Sequence, residues 1–88
     1  MQKGQYEDAL AEYKKALHRA PDAMSSHAAL AVTYILLDRE DAARGSAAKA
    51  LELAPYLSVG LMSKTSPIKN KAFLKIVLDA MRKAGFPE

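Results

Sequence analysis

The chain has 88 residues, of which 50% are hydrophobic and 26% charged, and it contains no cysteine. That length suits one domain with a thin core, and the missing cysteines exclude a disulfide framework and a thiolate metal site. Seventeen alanines and no tryptophan favour closely packed helices over a sheet, because alanine is the best helix former.

Charge is unevenly distributed along the chain, whose formal net charge is +3. Residues 1–44 carry a net −1 and residues 45–88 a net +4. The C-terminal bases could attract an anionic partner such as a nucleic acid. A solvated helix face is the preferred interpretation, because nucleic-acid binders usually show denser basic clusters with recognition motifs. The bases are Lys64, Lys69, Lys71, Lys75, Arg82 and Lys83.

No segment has the composition of a membrane span or a signal peptide. The longest apolar stretch, residues 28–37, is interrupted by Thr33 and is far shorter than the ~20 residues that cross a bilayer. The first five residues lack an apolar run. We therefore expect a cytoplasmic protein that does not associate with membranes.

Three helices are predicted in the first two-thirds of the chain. Residues 5–19 place their apolar residues along one stripe, and Pro21 ends that helix. Residues 23–37 have almost no polar face, which predicts a helix at the centre of the domain, with Asp22 as its N-cap. Residues 39–53 form the third helix, with Asp38 as N-cap and Gly45 on its outer face. Its inward face is expected to contain small residues: Ala42, Ala43, Ala47 and Ala50, with Leu51 and Ala54.

The remainder predicts a short helical segment and one longer helix. Pro55 ends the third helix, and residues 56–63 form about two helical turns interrupted by Gly60. Asn70 is placed to cap a helix over residues 71–84. Gly85 suits the left-handed residue that follows this helix, with Phe86 folding back onto it.

Two stretches of the chain align without gaps at a spacing of 34 residues. The identical pairs include Leu17 with Leu51 and Pro21 with Pro55. The others are Ala9 with Ala43, Lys15 with Lys49, Ala16 with Ala50 and Ala20 with Ala54. An internal repeat of this length indicates stacked helical units.

The period and the two helices per unit resemble the tetratricopeptide repeat. The resemblance implies an all-α fold of antiparallel helical hairpins, about five helices in all, stacked as a short right-handed superhelix. Residues 1–88 would form a single domain. Residues 2–23 would be the second helix of a truncated repeat, residues 24–57 a complete repeat, and residues 58–88 the C-terminal capping helices. Leu30, Ala31 and Tyr34 match first-helix positions of the family, whereas Asp38 stands where the family has glycine and Ala47 where it has an aromatic residue.

The resemblance also implies a function, the binding of a peptide or partner protein on a concave surface lined by first helices. Carried onto this chain, the lining residues are Ser25, Ala28, Val32, Ile35 and Leu36. Such an apolar groove suits an amphipathic helix, and no carboxylate clamp is expected. The same residues could instead pack within the core, because a helix that is apolar all round is usually buried.

The chain starts in the middle of a repeat, so the stripe of Tyr6, Leu10, Tyr13 and Leu17 lacks a usual neighbour. Exposed apolar stripes mark interfaces, so these residues are candidates for self-association, with a two-fold homodimer as the expected geometry. The alternative is that the chain is a fragment of a longer array.

No arrangement of residues predicts catalysis, a metal site or a cofactor. His18 and His27 lack the i, i+4 partner of a helical zinc site, and the glycines form no phosphate loop. The tyrosines are expected to be packed in the core. A non-catalytic protein-interaction module is the favoured function, and RNA binding through the basic C-terminal helix is the alternative.

Overall fold

The computed structural model describes residues 3–88, and within that range all regular secondary structure is α-helical. The five helices are α1 (Lys3–Arg19), α2 (Met24–Leu36), α3 (Glu40–Leu53), α4 (Val59–Thr65) and α5 (Lys71–Ala84). The predicted all-α fold with five helices is confirmed. None of the described helices is long and apolar enough to cross a membrane.

The 34-residue period governs where helices end. Helix α1 ends at Arg19 and α3 at Leu53, which are 34 residues apart, and an Ala-Pro pair follows each. Proline disfavours the α region for the residue before it, so Ala20 and Ala54 lie outside the helices. The same local chemistry therefore stops two helices at equivalent positions.

Helix α2 lies at the centre of the fold and packs against α1, α3 and α5. Ala31 is completely buried and Thr33 is 6% exposed, and the hydroxyl of Thr33 donates to the carbonyl of Ala29 at 2.8 Å. The hydroxyl therefore has a hydrogen-bond partner inside the core, as a buried polar group requires. This confirms the central position expected for a helix with almost no polar face.

Helix α3 presents small side chains to the core. Ala43 and Ala50 are 0% exposed, and Ala47 is also buried, so α2 and α3 can approach closely. Ala42 was expected on this face and is instead exposed. It precedes Ala43 by one residue, which rotates it about 100° around the helix and toward solvent. Gly45 is exposed on the outer face, as predicted.

Two of the predicted helix caps are wrong and one is right. The N-cap residues of α2 and α3 are Ala23 and Arg39, and neither provides a side-chain cap. Asp38 instead has a φ of 59°, so it forms the left-handed turn between α2 and α3. The side chain of Asn70 caps α5 as predicted, by accepting from the amide of Phe73 at 3.1 Å.

Asp22 lies one residue too early to cap α2. The turn that precedes the helix is closed by a hydrogen bond from the amide of Ala23 to the carbonyl of Ala20. From the first turns of α2, the side chain of His27 contacts the preceding turn, with 2.9 Å between its Nε2 and the carbonyl oxygen of Pro21. A carbonyl only accepts, so Nε2 carries the proton, and His27 ties the helix to the preceding turn.

The C-terminal residues return to the start of α4. Gly85 follows α5 in the left-handed conformation and Phe86 is 4% exposed, both as predicted. The next two residues accept hydrogen bonds from the first amides of α4: Val59 donates to Pro87 at 2.8 Å and Gly60 to Glu88 at 3.1 Å. The tail thereby satisfies amides that a helix start leaves without a partner.

Candidate partner-binding cleft

A broad cleft of about 640 Å³ opens along α2, and no residue of α3 lines it. Helices α1 and α2 form one side, and α4, α5 and the loop between them form the other. The aliphatic and aromatic lining residues are Tyr6, Ala9, Tyr13, Met24, Ala28, Ala29, Val32, Leu36, Tyr56, Leu57, Leu61, Met62, Pro67, Ile68, Phe73, Val77 and Met81. The remaining lining residues are Ser25, Thr33, Thr65 and Ser66.

Three of the four serine and threonine hydroxyls in the lining form hydrogen bonds within their own segments. Thr65 donates to the carbonyl of Leu61 at 2.9 Å, and the hydroxyl of Ser66 accepts from the amide of Ile68 at 3.1 Å. The hydroxyl of Thr33 is bonded within α2. Because these groups are satisfied by their own segments, the cleft presents mainly an apolar surface to a ligand.

Four of the five residues expected to line a groove are found in this cleft. Ser25, Ala28, Val32 and Leu36 line its floor along α2. Ile35 lies on another side of the helix, where it packs against the main core and borders a small depression with Lys83. The helical rotation of about 100° between successive residues separates Ile35 from Leu36.

The residues expected to mediate self-association pack within the chain. Leu10 is 4% exposed and forms a small core cluster with Leu30 and Leu37 of the α2 region. Tyr6, Tyr13 and Leu17 pack against that cluster, and the two tyrosines also line the cleft. Most of the α1 stripe therefore contacts α2.

Tyr56 is the feature of this cleft that the sequence did not indicate. Tyrosines were expected in the core, but Tyr56 is 68% exposed at the edge of the cleft. It follows Pro55, which ends α3, so it lies in the turn before α4 and not on a helix face. Its position outside any periodic stripe is the sequence signal that distinguishes it from Tyr13 and Tyr34.

The histidines do not converge on the cleft. His18 is exposed near the end of α1, and His27 bonds to Pro21 at the start of α2. Across residues 3–88, no three histidine, aspartate or glutamate side chains are grouped as metal ligands would be. The chemistry available in the cleft is thus apolar contact with a few hydroxyl groups.

Comparison with protein families identifies the architecture. A family model described as TPR repeat, the tetratricopeptide repeat, matches residues 1–38. Residues 1–38, somewhat less than half of the chain, are therefore similar to a tetratricopeptide repeat. The match spans α1 and α2, the two helices that form one side of the cleft. TPR proteins are generally non-catalytic, and the repeat indicates a protein-interaction module. Searches of curated proteins and of solved structures found no match.

Proposed function

We propose that this protein is a non-catalytic module that binds a helical segment of a partner protein in the cleft between α2 and α5. The observation that carries the proposal is the cleft itself, about 640 Å³ of mainly apolar space. That volume falls within the range of ligand sites, and grooves of this kind take the apolar face of an amphipathic helix.

Tyr56 gives the proposal a specific contact. It is a large aromatic side chain, mostly exposed, at the edge of an apolar cleft. Tyrosine is enriched among the few residues that supply most of the binding energy at protein interfaces. We therefore assign Tyr56 and Val32 as principal contacts, one at the edge and one on the floor.

The proposal includes the division of the chain into repeats. Residues 2–23 are assigned to the second helix of one repeat, residues 24–57 to a complete repeat and residues 58–88 to a capping segment. Self-association through α1 has less support than cleft binding, because Leu10 is buried against Leu30 and Leu37. Sedimentation that shows a homodimer disrupted by a Tyr6→Glu substitution would establish self-association instead.

A selection of binding peptides tests the proposed function. A displayed library of helical peptides with a fixed heptad spacing and randomised residues is selected against the intact chain. We expect binders that lose at least tenfold in affinity with Tyr56→Ser or Val32→Glu. Ile76→Ser is the matched control, because Ile76 is 45% exposed on α5 and does not line the cleft.

Two outcomes of this selection contradict the proposal. One is the absence of any binder. The other is a set of binders whose affinity changes equally with Tyr56→Ser and Ile76→Ser. Circular dichroism of each variant establishes that it is folded before its affinity is compared.

RNA binding is the second candidate, supported by lysines without an acidic partner. Within residues 3–88, no ion pair involves Lys64, Lys69, Lys71 or Lys75. RNA binding through them would weaken steeply with salt because counterions are released from the phosphates. A salt-sensitive shift of labelled RNA, abolished by Lys69→Glu, Lys71→Glu and Lys75→Glu together, would support it.

A further inference from the structure

We propose that the cleft selects an amphipathic helix whose apolar face is bordered by acidic residues. This inference rests on the proposed function of the cleft and adds the charge of its partner. It follows from where lysines without partners lie relative to the lining residues.

Except for Met81, one wall of the cleft belongs to a segment with basic and no acidic residues. Between Glu52 and Asp79 the chain contains four lysines and no aspartate or glutamate. Lys64 and Lys69 directly precede and follow the lining stretch Thr65–Ile68. Both are exposed, and neither forms an ion pair with another residue of the described chain.

The opposite wall carries no comparable excess of charge. On α1, Glu7 pairs with Arg39 at 3.1 Å and Glu12 pairs with Lys15 at 3.7 Å. These pairs compensate two of the three acidic residues of α1. Uncompensated positive charge therefore lies beside the loop between α4 and α5.

Apolar and charged contacts would contribute differently to binding. Burial of apolar surface in the cleft supplies most of the affinity. Charges at the rim contribute little affinity but favour a partner of opposite sign, and they raise its association rate at low salt. Aspartate or glutamate beside the apolar face of a bound helix would compensate Lys64 and Lys69.

The same lysines fit a peptide better than a nucleic acid. Proteins that bind single strands combine a continuous basic groove with several exposed aromatic side chains for base stacking. Among residues 4–88, the large hydrophobic residues that are most exposed are Tyr56 and Ile76, and Tyr56 is the aromatic one of the two. An apolar cleft with a basic rim instead matches an acidic amphipathic helix.

The selected peptides provide the first test. We expect acidic residues to exceed basic residues at the randomised exposed positions by about twofold relative to the starting library. Peptides that require Tyr56 but show no acidic excess would overturn this inference and leave the proposed function intact. If no selected peptide requires Tyr56, the proposed function fails as well.

Charge reversal at the rim provides the second test. Fluorescence anisotropy of one selected peptide is measured with Lys69→Glu, and we expect roughly threefold to tenfold weaker binding. The matched control is Lys75→Glu. Lys75 falls between Phe73 and Val77, which share a face of α5 toward the cleft, so Lys75 lies on the opposite side of the helix. An equal effect of the two substitutions would overturn the inference.

A third measurement separates the peptide from RNA. The peptide is replaced by a labelled single-stranded RNA of mixed sequence under the same conditions. We expect no saturable binding at physiological salt. If RNA binds and Lys69→Glu abolishes its binding while the peptide is unaffected, the rim lysines serve nucleic acid and the inference is overturned.

Discussion

The backbone amide of Val59 donates a hydrogen bond to the carbonyl of Pro87, with 2.8 Å between the two atoms. The neighbouring amide of Gly60 donates to Glu88. Among the helices, α4 packs against α5, and Val59 is buried in the main core, so the tail hydrogen bonds act together with this packing to hold α4. Because Leu61 and Met62 of α4 line the cleft, the C-terminal tail helps to position one of its walls.

Weakening the tail should loosen α4 selectively. Phe86→Leu removes part of a buried ring and should cost about 1 kcal/mol. We expect the amides of Val59 and Gly60 to exchange with solvent several-fold faster, while the amide of Ala31 in α2 changes little, because local opening precedes global unfolding. Hydrogen exchange followed by NMR measures this. Equal acceleration at all three amides would refute the local role of the tail.

Substitution of Gly45 and of Gly85 by alanine should change the stability of the protein in opposite directions. Gly45 lies inside α3 with open space around it, so Gly45→Ala should stabilise the protein by about 0.5–1 kcal/mol. Gly85 has a φ of 106°, which strains any L side chain, so Gly85→Ala should destabilise it by about 1 kcal/mol or more. Urea denaturation measures both. Shifts of the same sign would contradict the assigned backbone conformations.

The turn between α2 and α3 can be stabilised. Asp38 occupies the left-handed region at a position where the TPR pattern has glycine. Asp38→Gly should raise the free energy of unfolding by a few tenths to about 1 kcal/mol, because glycine adopts positive φ without steric cost. Asp38→Val should lower it by more than that, since a β-branched side chain is poorly tolerated there. Thermal denaturation in which valine is no worse than glycine would exclude a left-handed turn.

Local chemistry explains which elements were predictable. The prolines that follow Ala20 and Ala54 end α1 and α3. Asn70 caps the start of α5 with its side chain, and Gly85 ends the helix because glycine readily adopts the left-handed conformation. The aspartate predictions failed for a reason that is also local. A difference of one residue in where α3 begins decides whether Asp38 caps the helix or forms the turn before it. The hydrophobic pattern of the sequence does not define a helix start to within one residue.

The sequence predicted the α2 side of the cleft but not the side formed by α4 and α5. The family resemblance predicted a groove along α2, and Val32 and Leu36 of that prediction line the cleft. Its other wall depends on how α4 and α5 fold back, and that depends on contacts between residues far apart in the chain, such as Val59 with Pro87. Tyr56 belongs to no periodic pattern, which separates it from Tyr13 and Tyr34 in the sequence, but its place at the edge of the cleft depends on the tertiary structure.

The small residues of α3 should not tolerate enlargement. Ala43 is 0% exposed where α3 packs on α2, so Ala43→Leu should destabilise the protein by about 1–3 kcal/mol through overpacking. Ala48 is exposed on the same helix, and Ala48→Leu should change stability by less than about 0.5 kcal/mol. Urea denaturation of the two variants compares them. Similar stabilities would show that α2 and α3 are not closely packed at Ala43.

Mapping a selected peptide onto the protein by NMR tests the central claim most directly, namely that the cleft binds a helical polypeptide. Titration should shift the backbone amide signals of Val32, Leu36 and Ile68, which line the cleft, and leave those of Arg44 and Ala48 on the outer face of α3 in place. Shifts confined to α3, or spread evenly over the protein, would contradict the account.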